Sequence, residues 1–253
     1  GQNAVGTEFV CPFQTSWGNG NYAPIQPKSM ICIVATEDNT TVWITPKATV
    51  VGHPAGITYS VTLNRGQTYT VENTSQATNT AGNNLGGTIV VADKPIAVTV
   101  SDDSVTNSGG GCRDLMGDQI VPVDVVGTNY IVNRGNMFAG SNEGIFVVAT
   151  QNFTNVSVTT SLGTFTQLLN QGDTWKYTLT TAEPLAYVDA DKNVYVLQAS
   201  GFGCELGEAL LPPINCAGSN QVSFTRTNTE TFILNLLCPT SAVNDFVLNG
   251  STT

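Results

Sequence analysis

One nine-residue stretch, LNRGQTYTV at 63–71, returns as LNQGDTWKY at 169–177, 106 residues later. Its neighbours return in the same order: ICIVATEDNTTVWI (31–44) as IFVVATQNFTNVSV (145–158), offset 114, and VADKPIAV (91–98) as DADKNVYV (189–196), offset 98. GGCRDLMGDQIVPV (110–123) is answered by FGCELGEALLPPI (202–214), with Cys112 and Cys204 separated by 92. Offsets that fall steadily describe an internal repeat whose first copy has the longer loops, and a repeat obliges both copies to build one fold. GTEFV (6–10), GTNYIV (127–132) and GSNQVSF (218–224) each open a copy, and FILNLLCPTSAVNDFVLNG (232–250) starts a third. The expected division is therefore 1–125, 126–216 and a partial 217–253.

Each copy reads as β structure. In TTVWITP (40–46) Val42 and Ile44 face one way, Thr41 and Trp43 the other, and no window places apolar residues at helical spacing over three turns. Short strands separated by turn signals predict an all-β chain of tandem Ig-like β-sandwich units. TIVVADKPIAVTVS (88–101) reads as two strands joined by an Ala-Asp-Lys-Pro turn. LN-x-G-x-T-aromatic reads as a tight hairpin with Gly66 and Gly172 at positive φ. CRDLMGDQI (112–120) and ELGEALL (205–211) are the best helical candidates, at one or two turns each.

Charge excludes some partners. Charged residues make up only 11% of the 253, with 19 acidic against nine basic and a net charge of −10. That leaves no basic patch for nucleic acid or anionic membrane, and no apolar run long enough for a membrane helix. Residue 1 is Gly with no initiating Met, which fits either an excerpt or a mature chain after signal removal. Six cysteines fit an oxidising compartment; with one histidine and no CxxC pair they do not make a zinc site. The pairings considered are Cys11–Cys32, Cys216–Cys238 and Cys112–Cys204, the last requiring the two copies to pack side by side.

The blocks ATEDNTTVWI (35–44), LNRGQTYTV (63–71), VADKPIAV (91–98) and CRDLMGDQIVPVDVVGTNYIV (112–132) resemble the IgGFc-binding protein N-terminal domain family, from about Val5 to Pro213. Two steps depart from the family pattern. Val126 stands before Gly127 where an aromatic is common, and Asp114-Leu115 stands where an acidic residue is followed by histidine, so no role of that histidine carries over. The resemblance implies an extracellular, non-catalytic, multi-copy module of surface or mucus proteins. It does not bring IgG binding to this chain.

Few residues point to chemistry. His53, the only histidine, lies in VVGHPAGI, a turn context without the partners of a catalytic triad. Asp189, Asp191 and Asn193 imitate the start of a Ca²⁺ loop but lack its glycine and distal glutamate. Asp102-Asp103 is a second acidic cluster. Asn39, Asn73, Asn152, Asn155 and Asn249 head Asn-x-Ser/Thr sequons at turn positions that permit glycosylation. Trp17 and Tyr22, in SWGNGNYAP, are the aromatics expected to stack on a sugar or protein surface. The sequence thus predicts a non-catalytic, secreted or cell-surface structural and adhesive protein without cofactors. It would assemble with itself or a neighbouring surface protein, the alternative being a module that binds a glycan or glycoprotein. The partial third copy, with strand-like runs QVSF, TFILNLL and DFVL, is expected to act as an assembly segment.

Overall fold

Alternation decides the architecture, because a period-two chain can hide its apolar side only by folding sheet on sheet. A computed structural model describes residues 4–20, 24, 26–74, 83–106, 112–138, 143–225, 229 and 233–252. Gly1–Ser219 make one compact unit and Asn220–Thr253 another.

The first unit holds two all-β sheets. The first sheet contains β1 (Val5–Cys11), β2 (Ser29–Ala35), β3 (Thr40–Thr45), β4 (Tyr59–Leu63), β5 (Thr68–Glu72), β6 (Thr88–Thr106) and β7 (Arg113–Ile120). The second contains β8 (Gly127–Asn133), β9 (Asn136–Met137), β10 (Glu143–Ala149), β11 (Thr154–Thr160), β12 (Gly163–Leu169), β13 (Thr174–Leu179), β14 (Leu185–Gly203) and β15 (Glu205–Leu210). The orders are β4-β3-β6-β2-β5, with β1 and β7 also on β6, and β12-β11-β14-β10-β13, with β8, β9 and β15 also on β14. Apart from the two-residue β9, one order maps onto the other strand for strand.

Each sheet is organised by a 19-residue strand that changes partners along its length. Ile89–Ala92 of β6 pair with β3, and β2 takes over at Ile96–Asp102. Asp93, Lys94 and Pro95 fall at the handover, where no ladder needs the N–H that proline lacks. Residues 88–101 are accordingly one strand; the expected turn is absent, and the Pro95 carbonyl instead accepts the Thr36 amide. The switch folds each sheet around its own core, with Phe9, Ile31, Val42, Val90 and Val98 in the first and Val132, Ile145, Val156, Val188 and Val196 in the second.

The repeated LN-x-G turn is also corrected. β4 and β5 do not pair with each other but lie at opposite ends of the sheet, so residues 64–67 form an arch across the fold. Gly66 and Gly172 both have φ +78°, a left-handed value that favours glycine. The Gly66 amide donates to the Ala35 carbonyl (2.8 Å) and the Gly172 amide to Ala149 (2.9 Å), pinning each arch to the end of its central strand pair. The two helical candidates are strands β7 and β15, because each finds a ladder on the long strand beside it.

Asn220–Thr253 carry β16 (Val247–Leu248) and β17 (Ser251–Thr252), paired only with each other. QVSF and the described part of TFILNLL form no strand. In the first two sheets β1, β2 and β3, and their counterparts, draw ladders from the long strand and none from one another. Among the described residues no helix is long and apolar enough to cross a membrane.

Candidate functional site

Several residues singled out in the sequence meet where the two sheets join. β7 and β15 lie along each other with residues 92 apart facing. Cys112 is disulfide-bonded to Cys204, the Leu206 amide donates to Asp114 Oδ2 (2.9 Å) and the Leu210 amide to Asp118 Oδ2 (2.8 Å). Trp17, Val105 and Met116 of the first half pack with Met137, Phe146, Leu197 and Leu206 of the second. Val10 and Val126 meet Val148 and Tyr195, whose hydroxyl donates to the Val121 carbonyl (2.6 Å). Gly87 lies so close to the Gly172 arch that a Cβ on it would stand 2.0 Å from the Gly172 oxygen.

Trp17 is therefore 8% exposed, a seam residue and not a platform for a ligand. Tyr22 lies outside the described residues. The other two cysteine pairings are absent, and Cys11, Cys32, Cys216 and Cys238 are free thiols. Alternation explains the first pair: Cys11 points into the core with Ile31 and Ile33, whereas Cys32 faces outward, its sulfur 3.8 Å from Thr70 Oγ1. Burial pushes the Cys11 thiol well above its usual range, so it is inert.

Three buried carboxylates mark the seam and its flanks. Asp102 accepts from Gln14 Nε2 (2.7 Å), Asn19 Nδ2 (2.7 Å) and Ser29 Oγ (2.8 Å); burial raises its pKa against the pull of these bonds. Glu143 accepts from Ser200 Oγ (2.6 Å) and pairs with Arg134 at 3.4 Å. By the repeat offsets Ser29 matches Glu143 and Asp102 matches Ser200, so the same cross-strand bond recurs with acid and hydroxyl exchanged. Glu208 has neither partner. Both its oxygens are buried without a hydrogen bond, and burial, then the charges of Asp102 and Asp118, push its pKa up to about 8.

The Ca²⁺ candidates do not converge. Asp189 accepts from Asn129 (2.5 Å), Asp191 from the Asn155 amide and side chain, which lower its pKa, and Asn193 donates to the Val123 carbonyl (3.1 Å). The metal-like grouping among the described residues is Cys112, Cys204 and Glu205, whose two sulfurs are committed to the disulfide. His53 stacks on Tyr59 at 3.4 Å, a packing role. Of the sequon asparagines, Asn39, Asn152, Asn155 and Asn249 are exposed; Asn73 is not, being 2% exposed with its amide donating to the Asn83 carbonyl.

Beside the seam lies a cavity of about 500 Å³. Its floor is the start of β8, Gly127–Asn129, against Tyr187 and Asn193 on β14, where the pairing of β8 with β14 shifts register between Asp189 and Val194. Asp124, Val126, Ile214 and Asn215 complete the lining. Asn129 Nδ2 donates to the Tyr187 hydroxyl (3.0 Å) and to Asp189, fixing the ring, which stays 40% exposed. Sequence reasoning passed over this site. Its signal was Tyr187 itself, an aromatic at an outward position in the alternating run LAYVDAD.

A protein-family model described as IgGFc binding protein matches residues 2–253. No curated protein and no solved structure matches the chain.

Proposed function

The chain belongs to the IgGFc-binding protein family, and from that membership we propose that it is a non-catalytic structural and adhesive component of a cell surface or secreted layer. The family is one of extracellular binding proteins, and its description implies a protein partner, the Fc part of immunoglobulin G. In this reading residues 1–125 and 126–216 are two Ig-like β-sandwich modules and 217–253 begin a third. The seam is the observation that carries it. At β7 and β15 the seam joins counterparts, with residues 92 apart facing, but beside them Val10, Val105 and the 121–126 loop of the first module cover the outer face of β10 and β14 in the second. That second part of the contact joins unlike surfaces, and a heterologous contact is the kind that lets modules follow one another in a row. The disulfide across it suits a protein that must hold its shape outside the cell.

Residues 217–253 supply the means of assembly. Val222, Ile233 and Leu236 are each half exposed or more and lie outside any described strand, and apolar runs of that kind invite a strand from a second copy. The test is light scattering on the full chain and on a chain lacking 217–253. Concentration-dependent growth of the full chain, abolished by the deletion, is expected. A full chain that stays monomeric at high concentration, with this segment resisting protease, overturns the assembly role.

A further inference from the structure

The cavity beside the seam has the chemistry of a sugar subsite, and we infer that it binds one residue or two of a neutral glycan. Its size falls within the range of small-ligand sites, roughly 300–1,000 Å³. Tyr187 provides the apolar face on which the C–H side of a pyranose ring stacks. Asn129, also in the lining, donates to the Tyr187 oxygen, so the hydroxyl proton remains available as a donor. Around it stand an amide (Asn215) and a carboxylate (Asp124) that have no hydrogen-bond partner among the described residues, with the Thr128 hydroxyl at the floor. A carboxylate and amides set round one aromatic face match vicinal hydroxyls, which donate and accept in pairs.

Charge narrows the class further. The lining holds no lysine, arginine or histidine, and its one carboxylate, Asp124, has Asp189 behind Asn129. An anionic sugar such as sialic acid or a uronic acid would meet negative charge without a compensating cation. A bare divalent cation lacks a preformed shell, because Asp124 is the one carboxylate in the lining and Asp189 is held by Asn129. The walls are preorganised: the Tyr130 hydroxyl donates to the Val194 carbonyl (2.6 Å) and accepts the Gly127 amide (3.0 Å), locking β8 to the bulge in β14. Asn193 ties the same bulge to the 121–126 loop. A rigid, half-open pocket of this kind binds weakly alone and gains strength when copies are presented together, so the site deepens the adhesive reading by naming what an array of copies would grip.

The inference rests on that reading only for the setting in which glycan is met, and its test is independent of self-association. Backbone amide spectra of the full chain are recorded with N-acetylglucosamine, with methyl mannoside, methyl galactoside and methyl glucoside, and with sialic acid, each to about 50 mM, since single sugars bind such sites near the millimolar range. Shifts confined to Gly127–Asn129, Tyr187 and Asn215 are expected with at least one neutral sugar and not with sialic acid. Tyr187→Ala should weaken that binding more than tenfold with an unchanged melting midpoint, as the ring is exposed. Tyr187→Phe, which keeps the stacking face, should lose less. No shift with any neutral sugar, shifts that Tyr187→Ala leaves intact, or tighter binding of sialic acid would each overturn the proposal. Light scattering on the same samples reports assembly separately.

Discussion

β2 and β10 occupy the same place in the two sheets, and they differ on one face. Their inner residues are interchangeable: Ile31, Ile33 and Ala35 against Ile145, Val147 and Ala149, all buried. Their outer residues are not. Cys32 and Val34, opposite Thr99 and Ala97, are only half-buried, whereas Phe146 and Val148, opposite Leu197 and Tyr195, are fully buried. The fold needs only the inner face, so that face reads alike in both copies. The outer face records what covers it, which in the second sheet is the edge of the first. The junction between the halves is thus written in the positions where the two sheets differ.

The largest effect expected from this contrast comes from truncating the outer face. Phe146→Ala should cost about 3–5 kcal/mol, as a large side chain removed from a packed site does, while Cys32→Ala at the matching position should stay within about 0.5 kcal/mol. Denaturant unfolding of both variants decides it, and equal costs would erase the distinction. The exchanged acid and hydroxyl give the next test. Glu143→Gln removes the carboxylate charge that pairs with the buried Arg134 and should cost about 3 kcal/mol or more. Asp102→Asn, where neutral donors hold the carboxylate, should cost about 1 kcal/mol.

Glu208 sharpens the comparison through pH. Its pKa is raised in the fold from an ordinary 4.5 to about 8. The folded protein therefore binds the proton more tightly than the unfolded chain. That stabilisation is fully present below pH 4.5 and is lost as pH rises through 8. Stability of the oxidised protein should fall across this window. Glu208→Gln should remove this part of the slope and stabilise by an amount on the order of 2–3 kcal/mol at pH 7. Met116, its counterpart on β7 by the repeat offset, is uncharged and gives no such slope. The smallest contrast is between the two arches. Gly66→Ala meets open space and should cost only the left-handed backbone penalty, about 1 kcal/mol. Gly172→Ala has the same φ but puts its Cβ 2.8 Å from the Gly87 oxygen, and should cost about 2 kcal/mol.

How much of this was legible follows from where the information lies. The β class and the inner faces are local properties, carried by alternation in stretches such as TTVWITP, and the LN-x-G glycines announced their positive φ. The pairing of those strands is not local. Pro95 looked like a turn because proline ends ladders, but its position at a partner switch depends on β2 and β3, which lie 50 residues and more upstream. CRDLMGDQI and ELGEALL looked helical because their strand character comes from a neighbour. Trp17 looked exposed amid glycine and asparagine, yet a partner surface from the other half buries it. The Tyr187 cavity depends on a bulge in β14 and on a loop and turn drawn from beyond it, Asp124 and Asn215, so no single stretch could display it.

The central claim, that the first half finishes the second by covering the outer face of β10 and β14, is tested most directly by expressing residues 1–125 and 126–219 separately and measuring the cooperative unfolding of each. The first half should fold alone, because its outer β2 face, Cys32 and Val34 with Thr99 and Ala97, is built of small side chains already partly open to water. The second, with Phe146, Val148, Tyr195 and Leu197 uncovered, should lack a cooperative transition and regain one when the first half is added. A second half that unfolds cooperatively by itself, at the denaturant midpoint of the full chain, would contradict the account.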